Sequence, residues 1–138
     1  MLKEKKKRIK LDKGAQVPVR MHPKAEVHRN EEKMTEHSIM NDGIFLTNEH
    51  CYRYYSERLY GTVRHEIFFG TANRKKSIKY GLVVFIRPED HNMSEYGVHN
   101  RKGHEFDMHL KKIGQERAMD EYAWTTDEFI DIFGKSYI

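Results

Sequence analysis

Three histidines in the second half of the chain have a setting that suits a metal ion. His65 lies at the edge of a β-rich stretch, His91 directly follows a predicted strand and turn, and His99 comes soon afterwards. Imidazole nitrogens bind zinc, nickel and related ions, whereas magnesium prefers oxygen ligands. Three protein ligands leave a position open for water or a phosphate oxygen, as a hydrolytic site requires. The pattern therefore predicts one divalent ion held by His65, His91 and His99.

The residues around His65 suggest what such an ion would act on. Glu66 follows it directly, and a carboxylate can act as a general base. A basic segment comes next, and guanidinium groups bind phosphate with two parallel hydrogen bonds. We therefore predict catalytic roles for His65, Glu66 and Arg74, with an exposed, solvated loop as the alternative for the basic segment. The predicted nucleic-acid contacts are Arg64, Asn73, Arg74, Lys75, Lys76 and Lys79.

Other histidines and tyrosines receive different interpretations. His104 and His109 fall on a predicted helix, where we expect ordinary surface or packing roles. The tyrosines near the start of the domain could stack on bases, but a small domain with few aliphatic residues favours them as core; they are Tyr52, Tyr54, Tyr55 and Tyr60. No role is assigned to His22, His28, His37 and His50.

Short strands and one short helix are predicted to carry the candidate site. Residues 59–63 and 66–69 are rich in β-forming side chains, and residues 82–86 have the composition of a buried strand that ends before Pro88. Between them, residues 73–80 indicate a short helix stopped by Gly81. The predicted order up to this point is β-β-helical turn-β.

Two further helices are predicted after His104. The first has apolar residues at helical spacing and is expected to cover the strand at 82–86 with the face formed by Phe106, Leu110 and Ile113. The second is expected to begin at a Thr126 cap, run through Phe133 and stop at Gly134. The sequence thus predicts an α+β fold.

Length and charge indicate one folded domain behind a basic tail. The chain has 138 residues and a net charge of +4, and Met1 to Lys13 contains seven basic residues against two acidic ones. Residues 1–43 show no sustained periodicity and are expected to be a largely disordered tail, with the domain at 44–138. Lys5 to Arg8 is interpreted either as a non-specific phosphate grip or as a solvated charge run.

Several classes of protein are disfavoured by composition. Cys51 is the only cysteine, so no intrachain disulfide can form and no oxidising compartment is indicated. No apolar run approaches the roughly 18 residues that span a bilayer, and the basic start is not followed by a signal-peptide apolar stretch. We therefore expect a cytoplasmic protein that does not bind a membrane.

From Cys51 to Ile138 the chain resembles the HNH-like nucleases of phages and prophages, including the RecA-dependent recombination-enhancement type. Five segments carry the resemblance: 65–74 (HEIFFGTANR), 77–84 (SIKYGLVV), His91-Asn92, Val98-His99 and 129–137 (FIDIFGKSY). It implies a ββα-metal (His-Me finger) core with C-terminal helices. His65 falls at the first ligand position, His91 at the closing one, and His99 at a further histidine common in this branch.

The resemblance also implies partners and an activity. It implies a metal-dependent endonuclease that hydrolyses DNA phosphodiester bonds in phage recombination or processing, acting on DNA and beside a recombinase filament. Magnesium, manganese, nickel and zinc are all kept as candidate ions. Relatives often place a Cys-x-x-Cys pair on each side of the site, and here Cys51, Tyr54, Arg87 and Asp90 stand at those four positions. Two other classes stay open: a non-catalytic nucleic-acid-binding recombination accessory protein, and a metal-stabilised module that binds a protein partner.

Overall fold

The computed structural model describes residues 37–138, which form an α+β domain. The strands are β1 (Gly43–Leu46), β2 (Cys51–Tyr54), β3 (Val63–Glu66) and β4 (Val83–Ile86). The helices are α1 (Arg74–Tyr80), α2 (Pro88–His91), α3 (His104–Tyr122) and α4 (Thr126–Phe133), and a 3₁₀ turn at Arg101–Gly103 precedes α3. The predicted α+β class is confirmed.

The strands form two antiparallel pairs, β1 with β2 and β3 with β4. Tyr55, just after β2, exchanges both backbone hydrogen bonds with Phe85 of β4, at 2.8 and 3.0 Å. This bridge attaches the first hairpin to the free edge of β4. All four residues of β4 are buried, as predicted for a strand covered on both faces.

A short helix connects β3 to β4 and ends as predicted. Gly81 adopts a left-handed conformation with φ of 74°, which a residue without a Cβ adopts at little cost. Ser77, fully buried on α1, donates to the Phe68 carbonyl at 2.7 Å and accepts from the Phe68 amide at 3.0 Å. Phe68 therefore bonds to the helix side chain just after the strand, whereas the Ile67 amide still donates to the Leu82 carbonyl at 3.0 Å.

The two short strands predicted before α1 were placed wrongly. Residues 59–62 form a turn, because the Thr62 hydroxyl donates to the Leu59 carbonyl at 2.6 Å and Gly61 has φ of 81°. The strand covers Val63–Glu66 instead, paired with β4 through His65 and Val84.

Strands β1 and β2 were not predicted, although the sequence carries a signal for the second. Tyr52 and Tyr54 are buried while Arg53 between them is exposed, which is the period-2 alternation of a half-buried strand. The interpretation of the tyrosines as core is confirmed for these two. Tyr60 is fully exposed.

Helix α3 has the predicted extent and phase. Phe106 and Leu110 are fully buried, and Ile113 is partly buried against the same core. Phe106 stacks on Tyr52 of β2 with ring centroids 4.1 Å apart, so the helix covers β2 in addition to sharing a core with β4. His109 packs on Phe45 with centroids 4.4 Å apart, which confirms a packing role for it.

The N-cap of the last helix lies one residue before the predicted cap, Thr126, which is instead the first helical residue. Thr125 is the N-cap: its hydroxyl accepts from the Glu128 amide at 3.1 Å, and the Glu128 carboxylate accepts from the Thr125 amide at 2.8 Å. This reciprocal capping box satisfies two helix-end donors. The predicted stop at Gly134 is confirmed by its φ of 100°.

The packed part of the chain begins before the expected boundary at residue 44. Met40 is buried, the Ile39 amide donates to the Gly81 carbonyl at 2.9 Å, and the Ser38 hydroxyl donates to the Val83 carbonyl at 2.6 Å. Residues 38–40 therefore run along the start of β4. The rest of the predicted tail, residues 1–36, lies outside the described residues.

Within residues 37–138, no helix is both long and apolar enough to cross a bilayer.

Candidate metal centre

His65 lies at the bottom of the candidate site. It is the third residue of β3 and is fully buried. Neither ring nitrogen has a hydrogen-bond partner among the residues that the structure describes. Leaving a buried polar group without a partner costs about 1–3 kcal/mol. Burial, reinforced by His99, His91 and Lys111, holds the pKa of His65 well below its usual value. The ring is therefore neutral, and one of its two nitrogens has a lone pair available to a ligand.

His91 and His99 face His65 from the other side. Their Nε2 atoms are 3.1 Å apart, and the His65 ring centroid is 5.4 Å from that of His91 and 5.1 Å from that of His99. One ligand nitrogen from each of the three rings lies within 4.8 Å of the others. An ion bound tetrahedrally at 2.0–2.1 Å from each nitrogen requires about 3.3 Å between nitrogens. The three histidines predicted from the sequence thus converge and could hold one metal ion.

Burial also lowers the pKa of His91 and of His99, although less strongly than that of His65. The Glu66 carboxylate opposes the shift at both rings, and Asp107 opposes it at His99. His91 is half-buried and His99 is exposed, so the site opens to solvent on their side. A buried bottom and an open rim suit an ion that must also be reached by a substrate.

An ion pair that the sequence did not reveal holds His91 in place. Asp90, fully buried, accepts from Arg87 Nε at 3.0 Å and Nη2 at 3.1 Å, and lies 2.8 Å from His50 Nε2. The contact with His50, to which no role was assigned, joins α2 to the segment before β2. Arg87 and Asp90 are two positions where the resembled family often has cysteine. Here they form a hydrogen-bonded ion pair.

Glu66 does not share the environment of His65. Its Oε2 accepts from Arg64 Nε at 2.8 Å and its Oε1 from Arg74 Nε at 3.2 Å. Successive residues on a strand point to opposite faces, so Glu66 points away from His65, although its charge still acts on His91 and His99. Both carboxylate oxygens are therefore engaged by guanidinium groups.

Of the six predicted nucleic-acid contacts, Arg64 is largely buried and pairs with Glu66, and the other five divide into two groups. Asn73 Nδ2 donates to the Phe133 carbonyl at 3.2 Å and Lys76 Nζ to the Ile132 carbonyl at 2.6 Å, which joins α1 to the end of α4. A structural role accounts for these two. Arg74, Lys75 and Lys79 are exposed on α1, so they remain accessible to phosphate.

Two buried charges near the histidines were also missed. Asp107 and Lys111 lie one turn apart on α3 and form an ion pair at 3.1 Å. The sequence indicated this pair only by its i,i+4 spacing, on a helix that was predicted from its apolar residues.

Comparison with known proteins adds no relative: no protein-family model, curated protein or solved structure matches this chain.

Proposed function

We propose that this chain is a metal-dependent phosphodiesterase of the HNH type, which cleaves DNA in phage recombination or processing. The observation that carries the proposal is His65, a fully buried imidazole with both nitrogens unpartnered among the described residues, beside two further imidazoles. A ligand bound to His65 would remove the cost of that burial. Structural histidines normally have a hydrogen-bond partner, so the arrangement favours a metal centre.

The local topology supports assignment of β3, β4 and α2 as a ββα-metal unit. The two strands are antiparallel, β3 carries His65, and α2 follows β4 and ends at His91. His99 is fixed against α2 by its amide, which donates to the His91 carbonyl at 3.1 Å. The three ligand positions therefore belong to one short supersecondary unit.

The side chains around this unit have separable roles in the proposed reaction. A divalent ion held by the three imidazoles would supply Lewis-acid stabilisation of a phosphoryl oxygen. Arg74, Lys75 and Lys79 would bind flanking phosphates from the exposed side of α1, since phosphate contacts dominate nucleic-acid affinity. Arg74 also pairs with Glu66, so a bound phosphate would compete with that carboxylate for the guanidinium.

A second candidate function is supported by the contacts of Glu66. Because both of its oxygens accept from arginines, it resembles a structural anion more than a free base. A non-catalytic, metal-containing DNA-binding protein of recombination accounts for this arrangement. The Glu66→Gln variant separates the two candidates, because it removes a base and keeps the shape. Lost cleavage with retained DNA binding favours the enzyme, whereas cleavage at the wild-type rate excludes Glu66 as the base.

A plasmid-nicking assay tests the proposed function. The full chain is incubated with magnesium, manganese, nickel or zinc, and compared with His65→Ala and His91→Ala. His104→Ala is the matched control, because it removes an exposed imidazole outside the cluster. We expect nicking with at least one metal, loss of nicking in both site variants and full activity in the control.

Two results would overturn the enzymatic proposal. Nicking that survives in both site variants would show that the activity does not depend on this centre. Absence of nicking with all four metals, together with retained DNA binding, would select the accessory protein.

A further inference from the structure

The ion pair of Asp107 and Lys111 lies close to the metal centre, and the proposed function does not yet use it. Both side chains are nearly buried, at 10% and 13% exposure. Lys111 Nζ binds Asp107 Oδ2, whereas Asp107 Oδ1 is buried with no hydrogen-bond partner among residues 37–138. A buried carboxylate oxygen without a donor is costly. Packing of α3 alone does not explain why it is there.

Phe69 connects this ion pair to the histidines. Lys111 Nζ lies 4.2 Å from the centroid of the Phe69 ring. The same ring meets His99 edge to face at 4.5 Å and lies 5.7 Å from His65. The ion pair is therefore in the layer of side chains directly behind the site. In agreement, the Asp107 carboxylate opposes the lowering of the His99 pKa by burial.

His99 has a nitrogen that still needs a partner when a metal is bound. Its Nε2 faces His91 Nε2, which leaves Nδ1 as the second ring nitrogen. A histidine that binds a metal almost always donates its other ring N–H to a carboxylate, a carbonyl or water, which fixes the ring and raises its basicity. Asp107 Oδ1 is an acceptor without a donor in the adjacent layer.

We infer that Asp107 is a positioning residue of the metal centre, whose Oδ1 accepts a hydrogen bond from Nδ1–H of His99 in the metal-loaded protein. Burial raises the pKa of Asp107, and Lys111 opposes this rise while it fixes the carboxylate from the opposite oxygen. The inference rests on the metal-binding part of the proposed function and is independent of the reaction catalysed. It assigns a role in metal affinity to α3, a helix that carries none of the three histidine ligands.

Calorimetric titration of the full chain with zinc or nickel tests the inference. Asp107→Asn removes the charge and keeps the shape, and we expect the dissociation constant to rise by about 10- to 100-fold, the effect typical of such outer partners. Asp120→Asn is the matched control, since it makes the same change on the same helix at a side chain that is 86% exposed. The control should bind as the wild type does.

Nitrogen NMR of the histidine rings supplies a readout that a purely structural role would not move. In the zinc-loaded wild type, Nδ1 of His99 should carry a proton with a strongly deshielded signal, and that signal should shift or disappear in Asp107→Asn. If this variant does not fold, Lys111→Met should weaken metal binding in the same direction.

The outcomes separate the inference from the proposed function. A wild type that binds no divalent metal overturns both. A wild type that binds metal, with Asp107→Asn equal in affinity and in the His99 signal, overturns the positioning role alone. Unchanged affinity in Lys111→Met, where only that variant folds, has the same meaning.

Discussion

Two fully buried polar side chains, His65 and Gln115, have opposite hydrogen-bonding environments. Gln115 on α3 donates from Nε2 to the Ser136 hydroxyl at 3.0 Å, and its Oε1 accepts from the Tyr137 amide at 2.6 Å. His65 on β3 has no partner at either nitrogen among the described residues. Both have a relative exposure of 0%, so burial alone does not distinguish them.

The difference separates a polar group kept for the fold from one kept for a ligand. Gln115 replaces lost water contacts with protein contacts and fixes the C-terminal segment on α3, as a structural polar residue should. His65 loses water and gains no hydrogen-bond partner from residues 37–138, so the packing of this domain gives no reason to retain it. The contrast predicts that substitutions at the two positions have opposite consequences.

The largest expected effect concerns the helix that carries Gln115 and covers the core. Leu110 is fully buried on α3, and truncation of such a side chain leaves a cavity. We expect Leu110→Ala to lower the free energy of unfolding by about 2–5 kcal/mol, measured by chemical denaturation. A midpoint that barely moves would mean that α3 is not packed as described, and the comparison would lose its basis.

Metal binding should stabilise the protein through His65 and not through Gln115. At a free metal concentration about 100 times the dissociation constant, a site absent from the unfolded chain adds about 2.7 kcal/mol. We expect thermal melts with zinc or nickel to show this gain in the wild type and in Gln115→Leu. His65→Leu should show none. A gain that persists in His65→Leu would place the bound ion elsewhere.

Without metal, loss of the Gln115 side-chain amide should destabilise the fold. Gln115→Leu leaves the Tyr137 amide and the Ser136 hydroxyl without their partner, at a cost of about 1–3 kcal/mol. Denaturation of the metal-free variant in the presence of a chelator measures this loss. An unchanged stability would show that the C-terminal segment contributes little to the packed domain.

The smallest expected effect has the opposite sign. In metal-free protein, His65→Leu replaces an unpartnered imidazole by an apolar side chain, so stability should be unchanged or rise by up to about 1 kcal/mol. The same chelator-treated denaturation measures it, with Gln115→Leu as the comparison. A loss similar to that of Gln115→Leu would indicate that His65 has a structural partner.

The parts of the site that were predicted are those encoded over short distances. Strand β4, which His91 follows after a short turn, is evident from its composition, and α1 ends at a glycine with a clear stop signal. The strand that carries His65 was predicted with other bounds. Strand β1 escaped prediction because Ile44, Phe45 and Leu46 are all apolar, so the sequence does not show the alternation that their burial has. The turn at residues 59–62 depends on local bonds between Leu59 and Thr62 that a β-rich composition does not indicate.

The parts that were missed are contacts between distant segments. His50 and Asp90 are 40 positions apart, and Lys76 and Ile132 are 56 apart. Such pairs leave no periodic pattern in the sequence, because each partner sits in an unremarkable local context. Strand alternation accounts for the direction of Glu66 relative to His65, whereas its two arginine partners became evident only in the structure.

The backbone between His91 and His99 has a consequence for the thermodynamics of chelation. The Val98 amide donates to the Asp90 carbonyl at 2.7 Å and the His99 amide to the His91 carbonyl at 3.1 Å. These two bonds close the loop between His91 and His99 when the protein folds. The entropic cost of closing that loop is therefore part of folding and does not reduce the affinity for an ion. An ion that binds here would therefore meet a preformed pair of histidines, and most of the remaining ordering would fall on the ring torsions of His91 and His99.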